Sequence, residues 1–387
     1  MTRPSDASVE MIRRLIGFDT TSRNSNLELI HWIRDYLKDL GVESELVYND
    51  ERTKANLYAT LGPTDRPGIA LSGHTDVVPI DGQDWSVDPW QVSEAEGKLF
   101  GRGTCDMKSF VAICLAYAPK FAEATLSEPV HFAFSYDEEV GCVGVRPLLE
   151  HLAAKPIRPR MAIIGEPTDM KVVNAHKGKL SHTCRVRGFE CHSSLAPTGV
   201  NAIEYASRLI GKLIEMAEDK AANGPFDENY DVPHTTVHTG VIEGGTALNI
   251  VPRDCWFDFE FRNLPQDDPE ALMKQVTDYA EQVLVPRMQA IRPNTGIEFE
   301  FYSAFAGLDT PADHEVVQLA KALTGANSSH KVAFGTEAGQ FSLSGIPSVV
   351  CGPGSIDQAH KPDEFVALEQ LALCERFMDR LIERLAA

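Results

Sequence analysis

Four short apolar runs of this chain lead towards a histidine or an acid, and a further acid follows a pair of glycines. Runs of that length, stopped by Gly and turn residues, read as buried strands, and open sheets collect their functional groups at the strands' carboxyl ends. The first, Ile69-Ala-Leu-Ser-Gly-His74-Thr-Asp76, delivers an imidazole and a carboxylate two residues apart, which alternation puts on one side. A ligating imidazole usually gives its other ring N–H to a carboxylate, so Asp76 is expected to orient His74 rather than to bind metal. Gly101-Arg-Gly-Thr-Cys-Asp106 ends in one carboxylate, whose oxygens suffice to bridge two ions about 3.5–4 Å apart. His131-Phe-Ala-Phe-Ser-Tyr-Asp137-Glu138-Glu139 stops on adjacent acids that repel one another unless cations hold them. Met161-Ala-Ile-Ile-Gly-Glu166 and Ser348-Val-Val-Cys351, with His360 beyond it, complete the set.

His74, Asp106, Glu139, Glu166 and His360 together read as a two-metal hydrolytic centre. Two divalent ions are neutralised by Asp106, Glu139, Glu166 and a bridging hydroxide, which leaves Glu138 over. Oxygen and nitrogen donors without cysteine suit zinc, cobalt or manganese, and zinc is expected. Any one such acid or histidine is most often a cap or a turn residue; five in the same strand-end context carry the reading. His31, His131, His151, His234, His314 and His330 read as surface or satisfied core residues.

A chain of 387 residues with 43% hydrophobic content can bury the cores of two domains. Its net charge of −20 argues against nucleic acid and anionic membranes, both of which are met through basic patches. The first ten residues lack the apolar core of a signal peptide, and no run approaches the roughly 18 apolar residues of a membrane span, so a cytoplasmic protein is expected. The 8 cysteines form no Cys-x-x-Cys pair and read as reduced core thiols. Cys105 has no Cys/His signature around it. A Gly-x-Ser-x-Gly elbow is absent, and Gly101-x-Gly103 lacks the rest of a phosphate loop.

Ser25-Asn-Leu-Glu28 reads as a capping box before a helix ending at Gly41. Strands are expected at residues 45–48, 56–61, 69–72, 130–135 and 161–165, with helices after Asp106 and over 145–152. From Leu180 the order becomes β-α-β-β-α-β, through strands at 180–186, 236–242, 255–262 and 297–302 and helices over 201–219 and from Pro269. Helices at 312–323 and 367–385 and a strand at 348–351 return to the first texture. The expected fold class is α/β: a mixed-sheet zinc-hydrolase catalytic domain, residues 1–177 and 308–387, with an inserted ferredoxin-like α+β domain, residues 178–307.

The strings His74-Thr-Asp76, Gly101-Arg-Gly-Thr-Cys-Asp106-Met-Lys, Asp137-Glu138-Glu139-Val-Gly, Gly165-Glu166-Pro-Thr and Ala359-His360-Lys-Pro-Asp-Glu resemble the M20 family of co-catalytic metallohydrolases, nearly end to end. Phe334-Gly-Thr-Glu-Ala-Gly339, the run from Val350 to Glu364, and Gly188-Phe-Glu-Cys-His192-Ser-Ser look like its acetylornithine deacetylase branch. The resemblance implies one ion on His74 and Glu166, another on Glu139 and His360, Asp106 between them, and Glu138 as general base. It implies that His192 reaches the active site of a partner subunit, hence a homodimer joined through the insertion. It also implies that Arg262, Asn249, Lys177 and Thr336 grip a substrate carboxylate, a task to which a guanidinium's paired donors are suited. Glu337, beside Thr336, is placed to meet the side-chain ammonium of ornithine. The activity implied is hydrolysis of N2-acetyl-L-ornithine to L-ornithine and acetate by a two-metal-activated water, in arginine biosynthesis. Succinyl-diaminopimelate desuccinylase, aminoacylase, acetylcitrulline deacetylase and exopeptidase activities use the same machinery. A catalytically silent metal- or ligand-binding protein is the reading from another class; loss of Glu138 or of a ligand would mark it, and none is missing.

Overall fold

Burial sorts the strands into two kinds. Ile69–His74, Val130–Ser135, Met161–Pro167 and Ser348–Gly352 are buried along their whole length, as parallel strands covered on both faces are. Asp254–Arg262 alternates instead, with Cys255, Phe257, Phe259 and Phe261 turned inward. In the computed structural model, which describes residues 3–386, each kind belongs to its own sheet. Two compact units result: one takes the chain as far as Ala175, then Leu308–Lys331 and everything from Thr336, and the other takes His176–Gly307 and Val332–Gly335.

The first unit is built on a nine-stranded mixed sheet. At its centre Val130–Ser135, Ile69–His74, Met161–Pro167 and Ser348–Gly352 lie side by side, each parallel to the next. Their carboxyl ends therefore share one edge. His74 pairs with Ser135, and Ser72 with Ile164, so Glu166, two residues further on, comes level with His74. The helix Lys108–Glu123, buried around most of its circumference, packs on these strands and starts two residues after Asp106. Close approach is enforced by glycine: a Cβ at Gly165 would lie 2.0 Å from the Phe110 ring, and one at Gly352 would lie 2.0 Å from the Gly165 carbonyl oxygen.

The second unit has the order β-α-β-β-α-β, with strands Lys179–Arg187, Thr236–Gly244, Asp254–Arg262 and Gly296–Phe305 and helices Ala202–Asn223 and Pro269–Tyr279. All its strand pairs are antiparallel. Leu209 and Leu213 of the first helix and Leu272 and Val276 of the second close its core against the inward phenylalanines. Among the described residues no helix is long and apolar enough to cross a membrane.

Two local expectations need correction. The capping box does not form. The helix is Leu27–Asp39 with Asn26 as its N-cap, and Ser25 Oγ instead donates to the Thr53 carbonyl and accepts the Leu27 N–H. Asn26 is held by Ala55 and Thr75, so tertiary bonds to the sheet displace the local cap. The helix expected from Ala312 begins at Glu315, where His314 Nδ1 accepts the Val316 N–H.

The pinch at Gly165 is directly testable. Gly165→Ala is expected to lower unfolding stability by about 1–3 kcal/mol, as overpacked cores do, and to displace Glu166. Urea unfolding of the two proteins measures the difference, and equal midpoints would mean that the Phe110 ring moves aside freely.

Candidate metal centre

The shared strand edge delivers its side chains in a tight group, all of them in the first unit. His74 closes its strand, Glu166 lies near the end of the next, and Glu138 and Glu139 follow the third. Asp106 precedes the helix Lys108–Glu123, and His360 comes from the loop after Ser348–Gly352. Two residues of these loops, Asp137 and His360, hold φ values of +52° and +63°, a region few non-glycine residues occupy.

Asp106 stands between two imidazoles. Its Oδ1 is 2.9 Å from His74 Nε2 and its Oδ2 is 3.3 Å from His360 Nε2. His74 Nε2 is also 3.6 Å from Glu166 Oε1, and His360 Nε2 is 2.9 Å from Glu139 Oε2. One side thus joins His74, Asp106 and Glu166, and the other His360, Asp106 and Glu139. Ligand atoms of His74, Asp106 and Glu139, and of His74, Glu138 and Glu166, fall within 4.8 Å of one another.

The donor chemistry fits a pair of divalent cations. Four carboxylates, Asp106, Glu138, Glu139 and Glu166, crowd two imidazoles, and buried like charges are tolerated only when compensated. Glu139 Oε1 is buried without a hydrogen-bond partner, a cost that a cation would remove. In the chain alone, burial, together with the Asp106 charge, pushes the Glu139 carboxyl up to about 7 and that of Glu166 well above its usual range. Burial and the charges of Glu139, Glu337 and Asp106 do the same to Glu138, against the pull of His74. Hydrogen bonds that the ring donates to the Asp106 and Glu139 carboxylates raise His360 to about 10. Asp106 moves the other way: burial opposes its ionisation, but the two imidazoles hold it below the carboxylate range. The His360 side chain is 55% exposed, so the centre opens to solvent on that side.

Asp76 orients the centre by a different route from the one expected. His74 Nδ1 is 2.9 Å from the Asp76 backbone carbonyl and 3.5 Å from its carboxylate. The carboxylate accepts the Glu138 and Glu139 N–H groups at 3.1 and 3.2 Å, and the Ser22 hydroxyl at 2.7 Å. One residue therefore positions both an imidazole and the acidic turn. Asp137 is not part of the centre; its carboxylate pairs with Lys54. The Cys142 thiol, which the sequence did not single out, donates to Glu138 Oε1 at 3.2 Å.

Thr336 and Glu337 are buried in the first unit. Thr336 Oγ1 accepts the Ala338 N–H, and Glu337 Oε2 accepts the Ser135 hydroxyl at 2.9 Å. Glu337 Oε1 is buried and unpartnered, and burial pushes the carboxyl up to about 7. The remaining expected site residues belong to the second unit. His192 is exposed, with Nδ1 2.8 Å from Ser194 Oγ, and Asn249 is exposed as well. Arg262 pairs with Glu260 at 2.9 Å. Lys177 is buried, and its ammonium donates to the His234 carbonyl at 2.5 Å.

The chain is similar to known proteins over nearly its whole length. The family model for peptidase family M20/M25/M40 matches residues 70–384. An acetylornithine deacetylase of Photorhabdus laumondii is 34% identical over 384 residues, covering 97% of this chain and 96% of the relative. One of Myxococcus xanthus is 36% identical over 378 residues, covering 96% and 95%. Among solved structures, the Bacillus cereus aminopeptidase PepT superposes with a TM-score of 0.76 at 23% identity, covering 100% of both chains. The chain belongs to peptidase family M20/M25/M40 and is a metal-dependent hydrolase.

Proposed function

We propose that this hydrolase removes the acetyl group of N2-acetyl-L-ornithine, releasing L-ornithine and acetate as a step of arginine biosynthesis in the cytoplasm. The observation that carries the reading is the doubly faced Asp106 with Glu138 beside it, in a chain whose full-length relatives are named acetylornithine deacetylases. The residues best placed to hold two ions are His74 and Glu166 on one side and Glu139 and His360 on the other, with Asp106 shared. Zinc is proposed, with cobalt or manganese as substitutes. Bound there, two divalent cations would supply Lewis acidity, polarising an amide carbonyl and acidifying water.

The protein's own part is proton transfer and placement. Glu138 takes a proton from the water that adds to the amide carbon, and returns it to the nitrogen as the C–N bond breaks. Water is consumed, and the acetyl carbon leaves as acetate. A carboxyl whose ionisation is opposed by burial and by neighbouring acids is suited to hold that proton between the two transfers. Cys142 fixes one oxygen of the base, and Asp76 fixes the backbone on which it is carried.

Further roles are proposed by resemblance. The segment 178–307 is read as a dimerisation and lid domain that brings His192 to the active site of a partner chain, where it would stabilise the developing oxyanion. The exposed Val241 and Ile242 on the sheet-edge strand Thr236–Gly244 suit an interface; sedimentation equilibrium giving the mass of one chain would remove the homodimer. Arg262, Asn249, Lys177 and Thr336 are proposed for the substrate carboxylate. Glu337 is proposed to meet the ornithine ammonium through its unpartnered Oε1, since a neighbouring cation favours the ionised carboxyl that burial opposes.

Initial-rate measurements on the zinc- or cobalt-loaded protein are expected to give the highest kcat/KM on acetylornithine among acetylornithine, acetylcitrulline, acetylmethionine and succinyl-diaminopimelate, with no turnover after EDTA stripping. A preference for another substrate would keep the hydrolase and overturn the specificity; turnover that survives stripping would overturn the mechanism. Glu138→Gln is expected to lower kcat by roughly 10²–10⁴-fold while both ions remain bound, so a variant with near-normal kcat would remove Glu138 as the base. Glu337→Gln is expected to reduce the preference for acetylornithine over acetylmethionine, and an unchanged ratio of kcat/KM values would sink its assigned role.

A further inference from the structure

A second carboxylate, with no part in the chemistry above, organises the loop that carries Asp106. Glu364 is 1% exposed, and its backbone and side chain accept the N–H groups of Gly101, Gly103, Cys105 and Asp106. Its Oε1 accepts the N–H groups of Cys105 at 2.8 Å and Asp106 at 3.0 Å. Its Oε2 accepts the Gly103 N–H at 3.1 Å and Arg102 Nη1 at 2.7 Å, and its carbonyl accepts the Gly101 N–H at 3.0 Å. Gly103 takes a φ of +83°, which a side chain would resist, to wrap the loop around this acceptor.

The bonds continue in a ring. Arg102, also 1% exposed, donates through Nη2 to Gln83 Oε1 at 2.5 Å, and Gln83 Nε2 donates to the His360 carbonyl at 3.0 Å. Trp85 stabilises the joint: its Nε1 donates to Gln83 Oε1 at 3.0 Å, and its ring lies 5.0 Å from the Arg102 guanidinium. The chain of contacts thus leaves Glu364, passes through the loop of Asp106, and returns four residues upstream at His360.

We infer that Glu364, Arg102 and Gln83 form a positioning clamp that fixes the separation of Asp106 and His360, and thereby sets the affinity of the ion position on the His360 side. This rests on the two-ion reading of the centre. The clamp is asymmetric. His74 and Glu166 are carried on the paired central strands themselves, whereas His360 lies in a loop at positive φ with a half-exposed side chain. Charge-assisted bonds to consecutive backbone N–H groups hold geometry closely, and removing one member of a buried ion pair leaves the other uncompensated. Glu364, Arg102 and Gln83 touch no reacting atom; they act through Asp106 and His360.

The test is a cobalt(II) titration of the full-length, metal-stripped chain, followed by visible d–d absorption and calorimetry. The wild type is expected to take up two ions. In Glu364→Gln, where the amide presents donors to the backbone N–H groups, and in Gln83→Ala, one of the two is expected to bind about ten- to a hundredfold more weakly, with an altered absorption band, while the other keeps its affinity and spectrum. Gln83 is only half-buried and its loss leaves the Glu364–Arg102 pair intact, so this variant decides the matter if Glu364→Gln fails to fold. Two unchanged ions in Gln83→Ala, or equal weakening of both in step with a lowered melting temperature, would overturn the clamp. A wild-type chain that takes up fewer than two ions would overturn the two-ion reading itself, a failure visible without any substitution.

Discussion

One carboxylate facing two imidazoles is the constraint on which this molecule turns. Asp106 offers an oxygen to His74 and the other to His360, and each imidazole also reaches a glutamate from a different part of the chain. In the chain alone the arrangement is poorly balanced: burial drives Glu139, Glu166 and Glu138 towards their protonated forms while the imidazoles are driven towards their charged ones. Cations held there would offset that imbalance, because they would supply positive charge from a fixed position and leave the imidazoles neutral.

The scaffold exists to make this convergence repeatable. Four neighbouring parallel strands end on one edge, and their register, rather than loop flexibility, brings His74 and Glu166 level. Gly165 and Gly352 let the Phe110 ring and an adjacent backbone come within distances that no side chain would permit. Asp76 then ties the acidic turn back to the first strand. His74 and Glu166 sit on paired strands, whereas His360 lies in a loop and its carbonyl accepts a bond from Gln83.

The features legible in the sequence were those with a local signal. Short apolar runs stopped by glycine and turn residues announced the buried strands, and the acids and histidines beyond those runs are the ones that come together around Asp106. Hydrogen bonds made between distant segments had no such signal. Nothing in Thr-Asp76-Val tells whether the backbone carbonyl or the carboxylate will meet His74, and the pairing of Asp137 with Lys54 joins residues 83 positions apart. No local signal marks the bonding of Glu364, because its partners lie on a loop more than 250 positions away. Lys177 and Thr336 spend their donor or acceptor on neighbouring backbone groups, which a string of side-chain types cannot reveal. The strands Val173–His176 and His330–Val332 are too short to show a period.

Anomalous diffraction from crystals of the zinc-loaded chain addresses the central claim most directly. Two metal peaks about 3.5–4 Å apart, one bounded by His74 and Glu166, the other by Glu139 and His360, with an oxygen of Asp106 on each, is the result this account requires. A single peak, or two peaks of which Asp106 touches only one, would contradict it.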